Sequence, residues 1–147
     1  MPDSKRVLFL CTGNSCRSQM AEGYARHLGG DALEVYSAGI EAHGKNPRAI
    51  AVMAEDGINI SAQESTRVTD AMLAGVDVVV TVCGHADEHC PALPPGVHRR
   101  HWPLDDPARA QGTEEEIMVV FRASRDEIRR RVAALVEELT TGGGAVA

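Results

Sequence analysis

The chain has 147 residues, 44% of them hydrophobic, which is enough for one domain with a hydrophobic core and too few for two. A formal net charge of −6 argues against general binding to nucleic acid or to anionic membranes, although it leaves room for a small basic pocket. No apolar run approaches the roughly 20 residues of a membrane span, and the N-terminal stretch lacks the features of a secretory signal. We therefore expect a single cytoplasmic domain over 1–147, with a frayed tail from about residue 140.

Strands and helices alternate in the first half of the chain. A buried strand is predicted at "RVLFL", residues 6–10, and an amphipathic helix at "SQMAEGYARHL", which ends at a Gly-Gly pair. A second strand is predicted at "LEVYSAG", residues 33–39. A second helix then covers 46–57, with Pro47 in its first turn.

The second half continues the alternation. The apolar run "VDVVVTVC", residues 76–83, is typical of a central parallel strand, whereas "PALPPG" must be a loop. "HRRHW" contains a short strand at most, and Thr113 and Glu116 have the capping-box spacing that opens a long amphipathic helix. The pattern indicates an α/β three-layer sandwich with a central, mostly parallel four-stranded sheet. Ligands of such folds bind at the carboxyl ends of the strands.

The loop "CTGNSCRS" lies at that edge, between the first strand and the first helix. Helix N-terminal amides favour a bound anion, Gly13 allows its close approach, and Arg17 offers a two-pronged guanidinium. The same positive surroundings favour the thiolate of Cys11, a nucleophile that Ser18 can hold by a hydrogen bond. The predicted oxyanion-binding residues are Thr12, Gly13, Asn14, Ser15, Cys16, Arg17 and Ser18. The simpler alternative is a glycine-containing turn with a buried cysteine.

A second pair of cysteines, Cys83 and Cys90, flanks "GHADEH" at the end of the third predicted strand. In a reducing compartment such cysteines serve catalysis, redox cycling or metal binding, or they are inert core residues. A zinc site with His85 and His89 has an unusual ligand spacing and is disfavoured. The residues between the cysteines (Gly84, Ala86, Asp87 and Glu88 among them) are interpreted as a flexible polar stretch.

The motif "CTGNSCRSQMAEG" resembles the phosphate loop of the low-molecular-weight tyrosine phosphatase fold, and more closely that of the arsenate reductases built on this fold. "VYSAGIEAHGKNPRAIAVM", "VVVTVCGHADEHCPALPPGV" and "HWPLDDPA" are also similar to that reductase family. The resemblance implies a relay of three thiols, Cys11, Cys83 and Cys90, whose final disulfide is reduced by thioredoxin. It also implies that Arg17 binds arsenate, with phosphate or sulfate as mimics, and that Asp106 is the general acid or base.

Two other functions remain open at this point. A low-molecular-weight tyrosine phosphatase would use the same loop, but enzymes of that kind usually place an aromatic residue after the Asp-Pro pair, and this chain has Ala108 there. Trp102 is expected to pack in the core instead. A non-catalytic oxyanion sensor would have no need for the acid Asp106.

The remaining expectations concern ions, thiols and assembly. Some of these reductases hold potassium near the loop, and Asn14, Glu22 and Ser37 match positions of that weak site. Glu64 and Thr66 stand where a threonine and an aspartate would be expected, which puts the site in doubt. Cys16 is predicted to be structural or an oxidation liability, with its side chain turned away from the anion. We expect a monomer without a cofactor.

Overall fold

The computed structural model describes residues 4–142, apart from the side chains of His85 and Thr141. Its strands are β1 (Lys5–Cys11), β2 (Leu33–Gly39), β3 (Val78–Thr81) and β4 (His98–His101). Its α-helices are α1 (Arg17–Gly29), α2 (Pro47–Glu55), α3 (Asp70–Ala74), α4 (Gly84–Glu88) and α5 (Glu114–Glu137). Short 3₁₀ turns cover Gly30–Ala32 and Pro107–Arg109, and a π-helical turn covers Glu138–Gly142.

All four strands are parallel, in the order β2-β1-β3-β4. The predicted α/β sandwich with a four-stranded parallel sheet is therefore confirmed. β1 lies inside the sheet, and its residues 7–10 have no solvent exposure, as their continuous apolar run predicts. β4 is an edge strand of basic residues, "HRRH", and charged edges discourage pairing with other chains.

The core forms where α1 packs against β1, β2 and α5, while α5 also contacts α2. Phe9, Tyr24 and Phe121 are among its largest buried side chains. Trp102 is 9% exposed, and its ring lies 5.8 Å from that of Phe9, so its predicted place in the core is confirmed.

Helix ends follow the sequence signals closely. Asn46 accepts a hydrogen bond from the amide of Arg48 and caps α2, with Pro47 as its first residue. Thr113 and Glu116 form the predicted reciprocal capping box at the start of α5. The predicted tail lies partly in the π-helical turn, since helical backbone continues to Gly142, and residues 143–147 lie outside the described range.

Two short helices depart from the predictions. α3 was not predicted, although Thr69 caps it by accepting from the amide of Met72. α4 replaces the flexible polar stretch expected between the distal cysteines, and that expectation was wrong. The physical reason is tertiary: Ala86 is fully buried, so the segment packs into the core instead of lying in solvent.

Candidate active site

The loop from Cys11 to Arg17 joins the carboxyl end of β1 to the N-terminus of α1. Cys11 is 3% exposed and its sulfur lies 2.8 Å from Ser18 Oγ. The backbone amide of Asn14 donates to the same sulfur over 3.1 Å. Because Ser18 Oγ already accepts from Asn14 Nδ2, its own proton is free to donate to the sulfur. The sulfur thus has two groups beside it, the Asn14 backbone amide and the Ser18 hydroxyl, that can donate hydrogen bonds to it.

Asn14 holds the loop in shape from a fully buried position. Its amide nitrogen donates to Ser18 and to Ser37, and its Oδ1 accepts from the amide of Thr66 over 2.7 Å. Its φ of 51° is the left-handed conformation, which asparagine tolerates better than most residues. The Gln19 side chain also donates to the Asn14 carbonyl. The loop is therefore held in shape by hydrogen bonds of buried side chains.

Position 13 of the loop has little room for a side chain, because His43 packs against it. A Cβ atom at this position would lie 2.3 Å from Nδ1 of His43, far inside van der Waals contact. The amide of His43 also donates to the Gly13 carbonyl over 2.9 Å. Any larger residue would therefore displace either the loop or the His43 ring.

Arg17 and Asp106 meet beside the loop. Arg17 is 8% exposed, donates from Nη1 to the Leu104 carbonyl over 2.9 Å, and has Nη2 3.7 Å from Asp106 Oδ2. The other carboxylate oxygen of Asp106 accepts from the amide of Ala108, which fixes the side chain at the start of the turn Pro107–Arg109. The arginine is thus held in place by groups outside the loop.

Cys83 also reaches the loop. Its sulfur lies 3.2 Å from Thr12 Oγ1 and accepts from the amide of Ala86 over 3.3 Å, at the start of α4. The residue is 5% exposed. A second thiol therefore lies against the residue that follows Cys11.

The other two cysteines have different surroundings. Cys90 is half-buried; burial raises the pKa of its thiol, and the Arg99 guanidinium beside it opposes that rise. Cys16 is 3% exposed, and burial raises the pKa of its thiol to about 12. Cys16 therefore stays protonated near neutral pH and is a poor nucleophile, in keeping with a structural role.

The residues proposed for potassium lie together and bond one another, and the potassium site itself stays a prediction. Asn14 donates to Ser37, and Ser37 donates to one oxygen of Glu22. The other oxygen of Glu22 lies 2.7 Å from Nε of Arg26, and Nη2 of the same guanidinium donates to the Val35 carbonyl. The buried carboxylate is thus already balanced by a guanidinium of the protein.

The described residues were compared with the patterns of metal sites and of membrane-spanning helices. Across residues 4–142, leaving aside the His85 side chain, no three His, Cys, Asp or Glu side chains are grouped to hold a metal ion. The alternative of a zinc site involved His85, whose side chain lies outside the description. His89 is exposed. None of the described helices combines the length and the apolar character needed to cross a membrane.

Sequence reasoning found the loop but missed much of what holds it. The structure brings Cys11, Arg17, Asp106 and Cys83 to one edge of the sheet, while the roles predicted for them stay predictions. Leu104 and Thr66 act through backbone atoms, which leave no signature in a sequence. The packing of His43 on Gly13 had one signal, the glycine itself.

The chain belongs to the low molecular weight phosphotyrosine protein phosphatase family, whose sequence profile matches residues 6–143. Within that family its relatives include the arsenate reductase of Bacillus subtilis, 56% identical over 135 residues that cover 92% of this chain and 97% of the relative.

Solved structures similar to this chain include arsenate reductases. An arsenate reductase in the phosphate binding state superposes with a TM-score of 0.76 at 37% identity, covering 92% of this chain and 98% of the other. A thioredoxin-dependent arsenate reductase of Corynebacterium glutamicum superposes with a TM-score of 0.72 at 31% identity, covering 92% and 62%.

Proposed function

We propose that this chain reduces arsenate to arsenite by passing oxidation along three thiols, Cys11, Cys83 and Cys90, and that thioredoxin reduces the final disulfide. The observation that carries the proposal is the contact of Cys83 with Thr12, 3.2 Å between sulfur and hydroxyl oxygen. A phosphatase needs one nucleophile, whereas a reductase must supply two electrons from two thiols. The arsenate reductases among its relatives agree with this reading.

Arsenate enters a cradle of amides at the start of α1. Tetrahedral oxyanions suit such helix N-termini, and Arg17 adds charge and a planar pair of donors. Arg17 is held by the Leu104 carbonyl and Asp106, so little side-chain freedom is lost when the anion binds. A relative of known structure in a phosphate binding state supports this site for phosphate-like ions.

The first chemical step forms a bond between sulfur and arsenic. The Cys11 thiolate, stabilised by Ser18 and the Asn14 amide, attacks arsenic(V). Asp106 supplies a proton to the departing oxygen, which leaves as water. The product is a Cys11–arsenic(V) adduct in which no electrons have yet been transferred.

The second step transfers the electrons. The Cys83 thiolate attacks the sulfur of Cys11, a Cys11–Cys83 disulfide forms, and the sulfur–arsenic bond breaks. The electron pair of that bond stays on arsenic, which leaves as arsenite, arsenic(III). Two thiols have been oxidised and one arsenic reduced by two electrons, so the step balances.

The third step moves the disulfide away from the loop. The Cys90 thiolate attacks Cys83, a Cys83–Cys90 disulfide forms, and Cys11 leaves as a thiolate ready for another turnover. Thioredoxin then reduces Cys83–Cys90 by dithiol exchange, a partner supported by the thioredoxin-dependent relative. Thiols that must be regenerated suit the reducing cytoplasm, where we expect the enzyme to act as a monomer.

A coupled assay tests the proposal. Purified protein, arsenate, thioredoxin, thioredoxin reductase and NADPH are mixed, and NADPH consumption is followed. We expect arsenate-dependent consumption that disappears in Cys11→Ser, Cys83→Ser and Cys90→Ser. Cys16→Ala is the control, because it keeps the backbone amide of the loop and changes only a side chain predicted to turn away from the anion, and it should retain activity. Absence of consumption by the wild-type protein would contradict the proposal.

A phosphatase is the second candidate, favoured by one observation. Cys11, Arg17 and Asp106 form a set complete for phosphoryl transfer, since a nucleophile, a cationic clamp and an acid lie at one edge. Hydrolysis of p-nitrophenyl phosphate without arsenate-dependent consumption of NADPH would make this the main activity.

A further inference from the structure

We expect α4 to move or unwind during the relay just proposed. α4 covers Gly84–Glu88, and a rise of about 1.5 Å per residue puts the Cα atom of Glu88 about 7.5 Å along the helix from that of Cys83, with Cys90 two residues further on. A disulfide requires a Cα separation of about 4.4–6.8 Å. The sulfur of Cys83 faces Thr12 whereas that of Cys90 lies beside Arg99, so formation of Cys83–Cys90 is expected to move or unwind α4. Whatever holds α4 onto the sheet then controls that step.

Among the described side chains of α4, that of Asp87 makes polar contacts with the sheet. Its Oδ1 accepts from the hydroxyl of Thr81, a fully buried residue of β3, over 3.0 Å. The same oxygen lies 3.5 Å from Nε of Arg99 and 3.9 Å from Nδ1 of His101, both on β4. We call this group, Asp87 with Thr81, Arg99 and His101, the Asp87 anchor.

The protons of the Asp87 anchor form an ordered chain. Thr81 has one proton, and the Asp87 carboxylate oxygen at 3.0 Å is a nearer and more negative acceptor for it than the Arg100 carbonyl oxygen at 3.3 Å, so the hydroxyl oxygen is left as an acceptor. Nδ1 of His101 lies 2.9 Å from that oxygen, so it carries the proton that completes the chain. The carboxylate is thereby tied to the sheet by a hydroxyl donor and by the positive charge of Arg99.

Arg99 links the Asp87 anchor to the last thiol. Its guanidinium faces the Asp87 carboxylate and also lies beside the sulfur of Cys90. One side chain of β4 therefore contacts both the anchored helix and the thiol that must leave with it.

We propose that Asp87 is a positioning residue that keeps α4 docked on the sheet in the reduced protein, and that release of the Asp87 anchor limits the rate at which Cys90 reaches Cys83. The proposal rests on the three-thiol relay for its kinetic part. Its structural part, the docking of α4, concerns the reduced protein alone.

Two measurements test the Asp87 anchor: amide hydrogen exchange of α4, and the rate of disulfide formation followed by quenching with an alkylating agent. In Asp87→Ala we expect the amides of 84–88 to exchange about tenfold faster in the reduced protein, since hydrogen bonds to charged groups are worth at least that factor. After one equivalent of arsenate, quenching with an alkylating agent should show Cys83–Cys90 forming about tenfold faster. Glu88→Ala, which removes an exposed carboxylate from the same helix, is the matched control and should change neither rate.

Two further variants keep the test decisive if Asp87→Ala folds poorly. Arg99→Ala alters a half-exposed side chain, and Thr81→Val removes only the hydroxyl while keeping the shape. Each should accelerate exchange of 84–88, and neither should add to the effect of Asp87→Ala, because all three break one network. Hydrolysis of p-nitrophenyl phosphate should be unchanged in each, which shows that the oxyanion loop is intact.

The outcomes separate this inference from the proposed function. If wild-type protein forms no Cys83–Cys90 disulfide with arsenate, the relay fails, while exchange in the reduced protein still decides whether Asp87 holds α4. If the disulfide forms but Asp87→Ala leaves exchange unchanged, or forms it at an unchanged or slower rate, the anchor proposal is overturned and the relay stands.

Discussion

The loop around Cys11 is held rigidly by buried hydrogen bonds, whereas the segment from Cys83 to Cys90 is held by few contacts. The loop is fixed by Asn14, a fully buried residue whose side-chain donors and acceptor are all used. The distal segment is a five-residue helix held by one buried alanine and by the Asp87 anchor at its partly exposed carboxylate. The first arrangement suits a nucleophile that must meet its substrate in one geometry. The second suits a thiol that must travel.

Replacing Cys90 should have the largest effect on turnover, because it removes the mobile thiol and leaves the fixed loop intact. In Cys90→Ser the relay stops at Cys11–Cys83, so we expect turnover with thioredoxin to fall at least about a hundredfold. Single-turnover release of one arsenite per protein should persist, as should hydrolysis of p-nitrophenyl phosphate. Arsenite is measured after rapid quenching, and full multiple turnover by this variant would contradict a mobile third thiol.

Arg17→Lys tests the fixed region. Lysine keeps the charge but loses the planar fork, so kcat/KM for arsenate should fall about a hundredfold, as expected when a transition-state donor is lost. The same loss should appear with p-nitrophenyl phosphate, because both reactions use one loop. Steady-state kinetics with both substrates check this, and a loss confined to one of them would argue against a shared oxyanion site.

Cys16 shows that a cysteine in the fixed region can be inert. Burial raises its pKa to about 12, so the folded state keeps a proton that the unfolded chain releases above the ordinary value of about 9. Its stabilising contribution is therefore complete below pH 9 and is lost as pH rises toward 12. Urea unfolding under a reductant should show that raising the pH from 8 to 10.5 costs the wild type about 2 kcal/mol more than Cys16→Ala. Equal losses in the two proteins would mean that Cys16 is not buried as described.

Ser18→Ala should have the smallest effect. It removes one donor from the Cys11 sulfur and leaves the Asn14 amide in place, so the rate of the first step should fall about tenfold. Trapping of the Cys11–Cys83 disulfide in a Cys90→Ser background isolates that step. Ser37→Ala is the matched control, since its hydroxyl contacts Asn14 and not the sulfur, and an equal loss there would point to disturbance of the whole loop.

The sequence predicts the loop around Cys11 better than it predicts the segment from Cys83 to Cys90. β1, α1 and the loop follow from local patterns, because apolar periodicity, a glycine and an arginine lie within a few residues of each other. α4 could not be predicted in this way, because a helix so short depends on the burial of Ala86 and on partners of Asp87 from other strands. The approach of Asp106 to Arg17 is likewise a product of the fold, and only family resemblance indicated it.

The most direct test of the central claim is a map of the disulfides after a single turnover. Reduced protein is mixed with one equivalent of arsenate, free thiols are alkylated at once, and peptides are identified by mass spectrometry. The three-thiol relay predicts Cys83–Cys90 in the wild type and Cys11–Cys83 in Cys90→Ser, each with one arsenite released. A wild-type protein that releases arsenite with Cys83 and Cys90 both alkylated would contradict the relay.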